Sequence, residues 1–292
     1  MPIYASIKER IEKLKKQYDS LRPGKESLLA VLDEVELPEN VYNSNAIENS
    51  TLTLKETEQI LLEMEVSRKV SVREVFEAKN LSRVIEYKKQ VSNKREMSTD
   101  LMLFLHKMLL TGINDDVAGR FRKGNEYVRV GSFIAIPPEH IEKRIQENLI
   151  AYSSDFSSYF LEKIARFHLE FETIHPFNDG NGRLGRVLMN YQLLRLGFPR
   201  IIIRQKEKQI YYRAFELYRN DKKTQLMGKI LTLALLESLH KRITYLQGKT
   251  IISLSEYVLK NKRKAPAVFN AARRQTIAAF REKGIWKIGW EK

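Results

Sequence analysis

Twelve polar and glycine-rich residues, HPFNDGNGRLGR at positions 175–186, separate two stretches with helical patterning. Before them, Ile164, Phe167, Phe171 and Ile174 recur at steps of three and four, the spacing that lines one face of an α-helix. After them, RVLMNYQLLRL runs to Gly197 with Pro199 just beyond, a helix followed by its stop signals. The chain is therefore bound to a helix–loop–helix whose loop opens directly onto a helix start. Backbone N–H groups there lack intrahelical acceptors and lie at the positive end of the helix dipole, so the place suits an anion. Arg183 and Arg186 project from the first turn with guanidinium forks that match phosphate oxygens. Asp179 supplies a hard carboxylate suited to a magnesium ion shared with phosphates. His175, at the end of the preceding helix, has a side chain suited to taking a proton from a hydroxyl. Together these residues form a set for phosphoryl or nucleotidyl transfer.

Other readings of the stretch fail on specific residues. Gly180, Gly182 and Gly185 match G-x-G-x-x-G, but that fingerprint follows a strand and here a helix precedes it. If Gly182 were the glycine of a calcium loop, Phe177 and Leu188 would fill its first and twelfth positions, which excludes an EF-hand. His168 and His175 lie seven apart on one helix face, yet no H-E-x-x-H exists, so His168 and His106 are read as satisfied core or interface histidines. The sequence has no cysteine, which removes disulfide and thiolate chemistry.

The rest of the 292 residues, 43% of them hydrophobic, reads as mainly helical. LTLKETEQILLEMEV and SVREVFEAKNLSRVIEYKKQVS are helical in period, and Pro23-Gly24 is the early break. EYVRVGSFIAI changes the pattern to two β-branched and aromatic runs around Gly131-Ser132, a hairpin with a glycine-first turn, and Pro137 and Pro138 end its second strand. No apolar run approaches the length of about 18 residues needed to span a bilayer, and the first twenty residues are charged; a cytoplasmic protein without membrane contact is expected. The net charge of +15 favours anionic partners, and the last 44 residues concentrate it, with eleven Lys or Arg against three Glu.

His175, Phe177, Asp179, Gly180, Asn181, Gly182, Arg183 and Arg186 match, without departure, the H-x-F-x-D-G-N-G-R-x-x-R signature of the Fic family, which the chain resembles from about residue 40 to 245. The resemblance implies a helical bundle with a β-hairpin flap and transfer of AMP from ATP to a Ser, Thr or Tyr hydroxyl of a target protein or of the enzyme itself. In that reading His175 is the general base, Asp179 binds Mg2+, and Asn181 contacts the α-phosphate. Gly180, Gly182 and Arg183 hold the phosphates, Arg186 faces the γ-phosphate, and Phe177 plugs the loop into the core. The flap residues Val128, Arg129, Val130, Gly131, Ser132, Phe133 and Ile134 would align an extended target segment as an added strand. SNAIEN, with Ser44 and Glu48 four apart, resembles the family's inhibitory motif, in which the glutamate pairs with the second arginine, here Arg186. Asn49 departs from the glycine common at that place.

The tail, SLSEYVLKNKRKAPAVFNAARRQTIAAFREKGIWKIG, resembles a winged or excisionase-like helix-turn-helix, with Lys262, Arg263, Lys264, Arg273 and Arg274 as candidate DNA contacts. The expected domains are a helical region at 1–95 with the inhibitory motif, a catalytic core at 96–248 with its flap at about 126–137, and a basic domain at 249–292. Two alternatives stay open: a nucleotide-sensing DNA-binding regulator, and an enzyme of this fold that chiefly removes AMP or transfers another phosphate-linked group. The target protein and any homo-oligomer are not specified by sequence.

Overall fold

The computed structural model describes residues 5–66, 69–91 and 95–290. Ser92, expected to close a helix, and Glu291 and Lys292, counted in the tail charge, lie outside these. In chain order the elements are α1 (Ala5–Leu21), α2 (Glu26–Ile47), α3 (Leu54–Glu58, continued by a π turn), α4 (Val72–Val91) and α5 (Thr99–Leu110). They continue with β1 (Arg129–Val130), β2 (Phe133–Ile134), α6 (Ile141–Ser154), α7 (Phe160–Ile174), α8 (Asn181–Arg195), α9 (Lys208–Asp221) and α10 (Gln225–Leu246). The chain ends in β3 (Thr250–Ser253), α11 (Leu254–Lys260), α12 (Ala265–Arg273), β4 (Ala279–Glu282) and β5 (Ile285–Trp290). The fold is mainly α, and its residues cluster into two compact units. One comprises 1–37, 198–201 and 229–292; the other comprises 38–197 and 202–228.

In the second unit α8 is the central helix. Residues Asn181 and Arg183–Leu193 are all buried, so apolar and polar side chains alike are enclosed by α4, α5 and α7 packed around them. Its amino terminus is thereby placed inside the protein rather than at the surface. α2 ends in a tight stop: Asn49 takes a left-handed backbone (φ 70°), and the Ser50 N–H donates to the Asn45 carbonyl at 3.1 Å. Asparagine tolerates that conformation better than other non-glycine residues. α3 then starts with a capping box between Thr53 and Glu56.

The hairpin is shorter than its sequence pattern suggests. Only Arg129↔Ile134 and Val130↔Phe133 pair, around the expected Gly131-Ser132 turn in which Gly131 has φ +60°. One further bond, from the Ala135 N–H to the Val128 carbonyl at 2.9 Å, follows these pairs, and the carbonyls of Glu126 and Ile136 beyond it both accept from the guanidinium of Arg122, at 2.9 Å each.

In the first unit the tail is a three-stranded antiparallel sheet, order β3-β5-β4, with α11 and α12 between its first two strands in sequence. Ile252, Leu254, Ala272, Ala279 and Ile288 form its apolar centre, with Trp286 and Trp290 packed against it. The compact division thus differs from the three consecutive segments read from the sequence: 249–292 shares a unit with α1, the first part of α2 and most of α10. Buried polar contacts explain this. His240 of α10 bonds Gln275 at 2.8 Å, Glu237 binds the Arg281 guanidinium at 2.6 Å, and Tyr245 donates to Glu282 at 2.7 Å. Arg242 and Lys241 pair with Glu36 of α2 at 2.6 and 3.0 Å, holding that carboxylate down at a pKa of about 2 against the upward push of burial.

Candidate active site

His175 caps α7 in a left-handed conformation (φ 50°, ψ 62°), with its N–H donating to the Phe171 carbonyl at 2.9 Å. The turn swings the imidazole off the helix axis beside the loop, with 16% of the side chain exposed. Burial pushes its pKa down to about 4; nearby Arg122 adds to this, and Glu48, the Glu172 carbonyl and Asp179 only partly oppose it. The ring is neutral at pH 7 and able to accept a proton.

The loop after it is pinned from inside. Phe177 is fully buried and stacks on the His106 ring, centroids 3.7 Å apart. His106 is satisfied at both nitrogens: Nδ1 accepts from the Gly119 N–H at 3.0 Å, so Nε2 carries the proton given to the Asp179 carbonyl at 2.9 Å. Asn181 is equally committed. Its Oδ1 accepts from the Phe177 N–H at 3.0 Å and its Nδ2 donates to the Phe177 carbonyl at 2.8 Å, leaving its backbone, not its side chain, facing the helix start. Gly180 has φ +80°, and a Cβ there would come within 2.9 Å of Leu110, so both conformation and space demand glycine.

The two motif arginines point to different partners. Arg183, 3% exposed, lies 3.0 Å from Asp179 and 3.2 Å from Glu77. Asp179 and Glu77 also pair with Arg73 of α4, closing a ring of alternating charges. Burial would raise the Asp179 pKa, but Arg183 and Arg73 hold it below the usual carboxylate range. Arg186, 6% exposed, donates from Nε to the Ser44 hydroxyl at 2.9 Å and from Nη2 to the Ser44 carbonyl at 2.8 Å and to Glu48 at 2.9 Å. Burial works against its charge, yet facing Glu48 and Tyr211 raise its pKa on balance. The Glu48 carboxylate lies over the first turn of α8: a Cβ at Gly182 would run into it.

Beneath that turn is a buried group that sequence reasoning missed. Glu172 sits between His168 and His175 on the same face of α7, 3.8 Å from His175 Nδ1, and burial pushes its pKa up to about 8. His168 bonds the Tyr211 hydroxyl at 2.7 Å, and burial holds its pKa down at about 3. A Cβ at Gly185 would lie 2.6 Å from Glu172 Oε1 and 2.7 Å from the His168 ring. Gly185→Ala is therefore expected to cost about 1–3 kcal/mol, read as a lower urea midpoint; an unchanged midpoint would show that α7 and α8 part freely.

Among the described residues no group of three His, Asp or Glu side chains converges on a metal position. The donor set does fit Mg2+ bound by one carboxylate, Asp179, with the remaining ligands from phosphates and water. The five basic tail residues are all exposed, but in two groups: Lys262, Arg263 and Lys264 precede α12, whereas Arg273 closes it and Arg274 follows, about 13 Å further along. No helix among the described residues is long and apolar enough to cross a membrane.

Residues 96–193 match the Fic/DOC family. The chain carries a Fic domain. Protein adenylyltransferase Fic of Nematostella vectensis is 32% identical over 179 residues, 60% of this chain and 41% of that protein. Protein adenylyltransferase fic-1 of Caenorhabditis elegans is 32% identical over 178 residues, 59% and 34%. The chain thus spans less than half the length of these curated relatives. A Fic domain containing signaling protein from Bacteroides thetaiotaomicron superposes with a TM-score of 0.75 at 24% identity, covering 82% of this chain and 97% of that one. A Fic family protein from Desulfovibrio desulfuricans superposes with a TM-score of 0.67 at 19% identity, covering 100% and 98%. These superpositions place the fold. The helix start, His175 and the Asp179–Arg183 pair all fall within the matched Fic domain, while Ser44, Glu48 and Arg73 lie ahead of it.

Proposed function

We propose that this protein transfers AMP from ATP to a hydroxyl side chain of a protein. The observation that carries the reading is a neutral, proton-accepting His175 set beside a buried helix start flanked by two guanidinium groups, Arg183 and Arg186. Similarity to adenylyltransferases at 32% identity supports AMP as the transferred group.

In this reading the backbone N–H groups of the first turn of α8 and Arg183 bind the phosphates. A target hydroxyl gives its proton to His175 Nε2 as its oxygen bonds to the α-phosphorus. The bond from that phosphorus to the β-phosphate oxygen breaks, and pyrophosphate leaves. Mg2+ bound with ATP would be held by Asp179 and would offset phosphate charge; Arg73 must then release that carboxylate. The exposed hairpin offers backbone for pairing with an extended target segment.

The resting site is restrained by its own amino-terminal region. Arg186, the cation suited to the γ-phosphate, is occupied by Glu48 and Ser44. Glu48→Gly is expected to raise AMP incorporation at least about tenfold, equivalent to about 1.4 kcal/mol in the barrier. The test is intact-protein mass after incubation with Mg-ATP labelled at the α-phosphate. A variant that binds ATP and gains no AMP-sized mass, on itself or on added cell protein, would refute the reading.

A further inference from the structure

We infer that Arg122 is a positioning residue that sets the distance between the target-facing hairpin and His175. The side chain is 2% exposed. Its Nε donates to the His175 carbonyl at 2.9 Å and its Nη2 to the Ile174 carbonyl at 3.4 Å. The same Nη2 donates to the Ile136 carbonyl and Nη1 to the Glu126 carbonyl, at 2.9 Å each. The Arg122 backbone N–H adds a bond to the Pro176 carbonyl at 3.0 Å.

These acceptors belong to two groups. Ile174 and His175 are the last carbonyls of α7, which lose their helical partners when the chain turns left-handed. Glu126 and Ile136 are the two stems of the hairpin. One rigid, planar group therefore joins both strands to the turn that presents the base. The Glu126 carboxylate is not its partner, being taken by Arg120 in a two-point contact at 2.7 Å. Arg122 is thus buried on carbonyl dipoles, an arrangement in which the fork geometry is the feature that lysine cannot reproduce.

This inference rests on the proposed AMP transfer for its functional consequence and on contacts alone for the coupling. A target strand added to the hairpin is placed relative to His175 only as accurately as Arg122 holds the two together. A displacement of about 1 Å at a reacting centre costs on the order of 10²-fold.

The experiment uses full-length Arg122→Lys and Arg122→Gln in the Glu48→Gly background; the glutamine variant can still donate to these carbonyls without burying a charge. The expected result is a turnover loss of about 10- to 100-fold with the KM for ATP within about twofold. Amide hydrogen exchange of residues 128–135 and 174–177 is expected to rise together. Retained turnover, or a loss that follows ATP affinity and thermal midpoint equally, overturns the positioning role. If the Glu48→Gly parent transfers no AMP, the functional reading fails instead. Exchange then decides the coupling alone: protection unchanged in either segment overturns it.

Discussion

Replacing His175 with alanine in the Glu48→Gly background is expected to cut AMP incorporation by about 10²- to 10⁴-fold, the range that a positioned proton acceptor contributes. ATP affinity should hold, because the phosphate-binding N–H groups and Arg183 belong to α8 and not to the left-handed turn. The pH profile adds an independent check. Burial holds the imidazole near a pKa of about 4, so lowering the pH from 8 to 6 leaves it unprotonated and its contribution constant. Activity limited by His175 should fall only as the pH approaches 4. A drop of less than tenfold in the alanine variant, or a titration near 6.5 in single-turnover rates, would remove His175 from the role of base.

Acid sensitivity of the fold is the second large expectation. Burial lowers His106, His175 and His240 to about 4 and His168 to about 3, whereas the unfolded chain titrates all four near 6.5. Between those values the unfolded state binds more protons, so stability rises with pH and is lost as the pH falls below about 6.5. Glu172 acts in the opposite direction. Raised to about 8, it stays protonated in the fold while the unfolded chain ionises it, so its contribution falls as pH rises from about 4.5 to 8. At about 1.4 kcal/mol per pH unit for each group, the four histidines outweigh the one glutamate, and the net loss from pH 7 to pH 5 is on the order of 5 kcal/mol. Urea midpoints at the two pH values check this. Equal or greater stability at pH 5 would mean that these imidazoles are not buried neutral.

The elements around the loop were legible because period and punctuation agreed there: apolar steps in α7, glycines at the turn, and a helix that ends at Gly197. Glu48 was legible only through its motif, since a serine and a glutamate four apart fit any capped helix. Arg122 gave no signal, as an arginine among charged loop residues looks solvated until its carbonyl acceptors assemble in three dimensions. Arg73 and Glu77 look like a helix-surface pair at i and i+4, and their reach to Asp179 and Arg183 depends on where α4 packs. Glu172 was more accessible to sequence reasoning. It lies between His168 and His175 on the same wheel position, so a carboxylate on the otherwise buried face was there to be read. The tail's union with α10 was hidden because a glycine after a long helix marks a turn equally well whether the chain then leaves or folds back.

The contacts of Arg186 constrain how the resting arrangement can be left. Without Glu48, Arg186 would keep its bonds to Ser44 but lose the carboxylate it pairs with, and a largely buried charge left without a counter-charge is costly. Departure of Glu48 is therefore favoured when another anion arrives as it goes. In the proposed reaction that anion is the terminal phosphate of the nucleotide, so release would be an exchange rather than an opening. Weakening Glu48's hold and raising the concentration of the incoming phosphate should then be interchangeable ways of shifting one equilibrium.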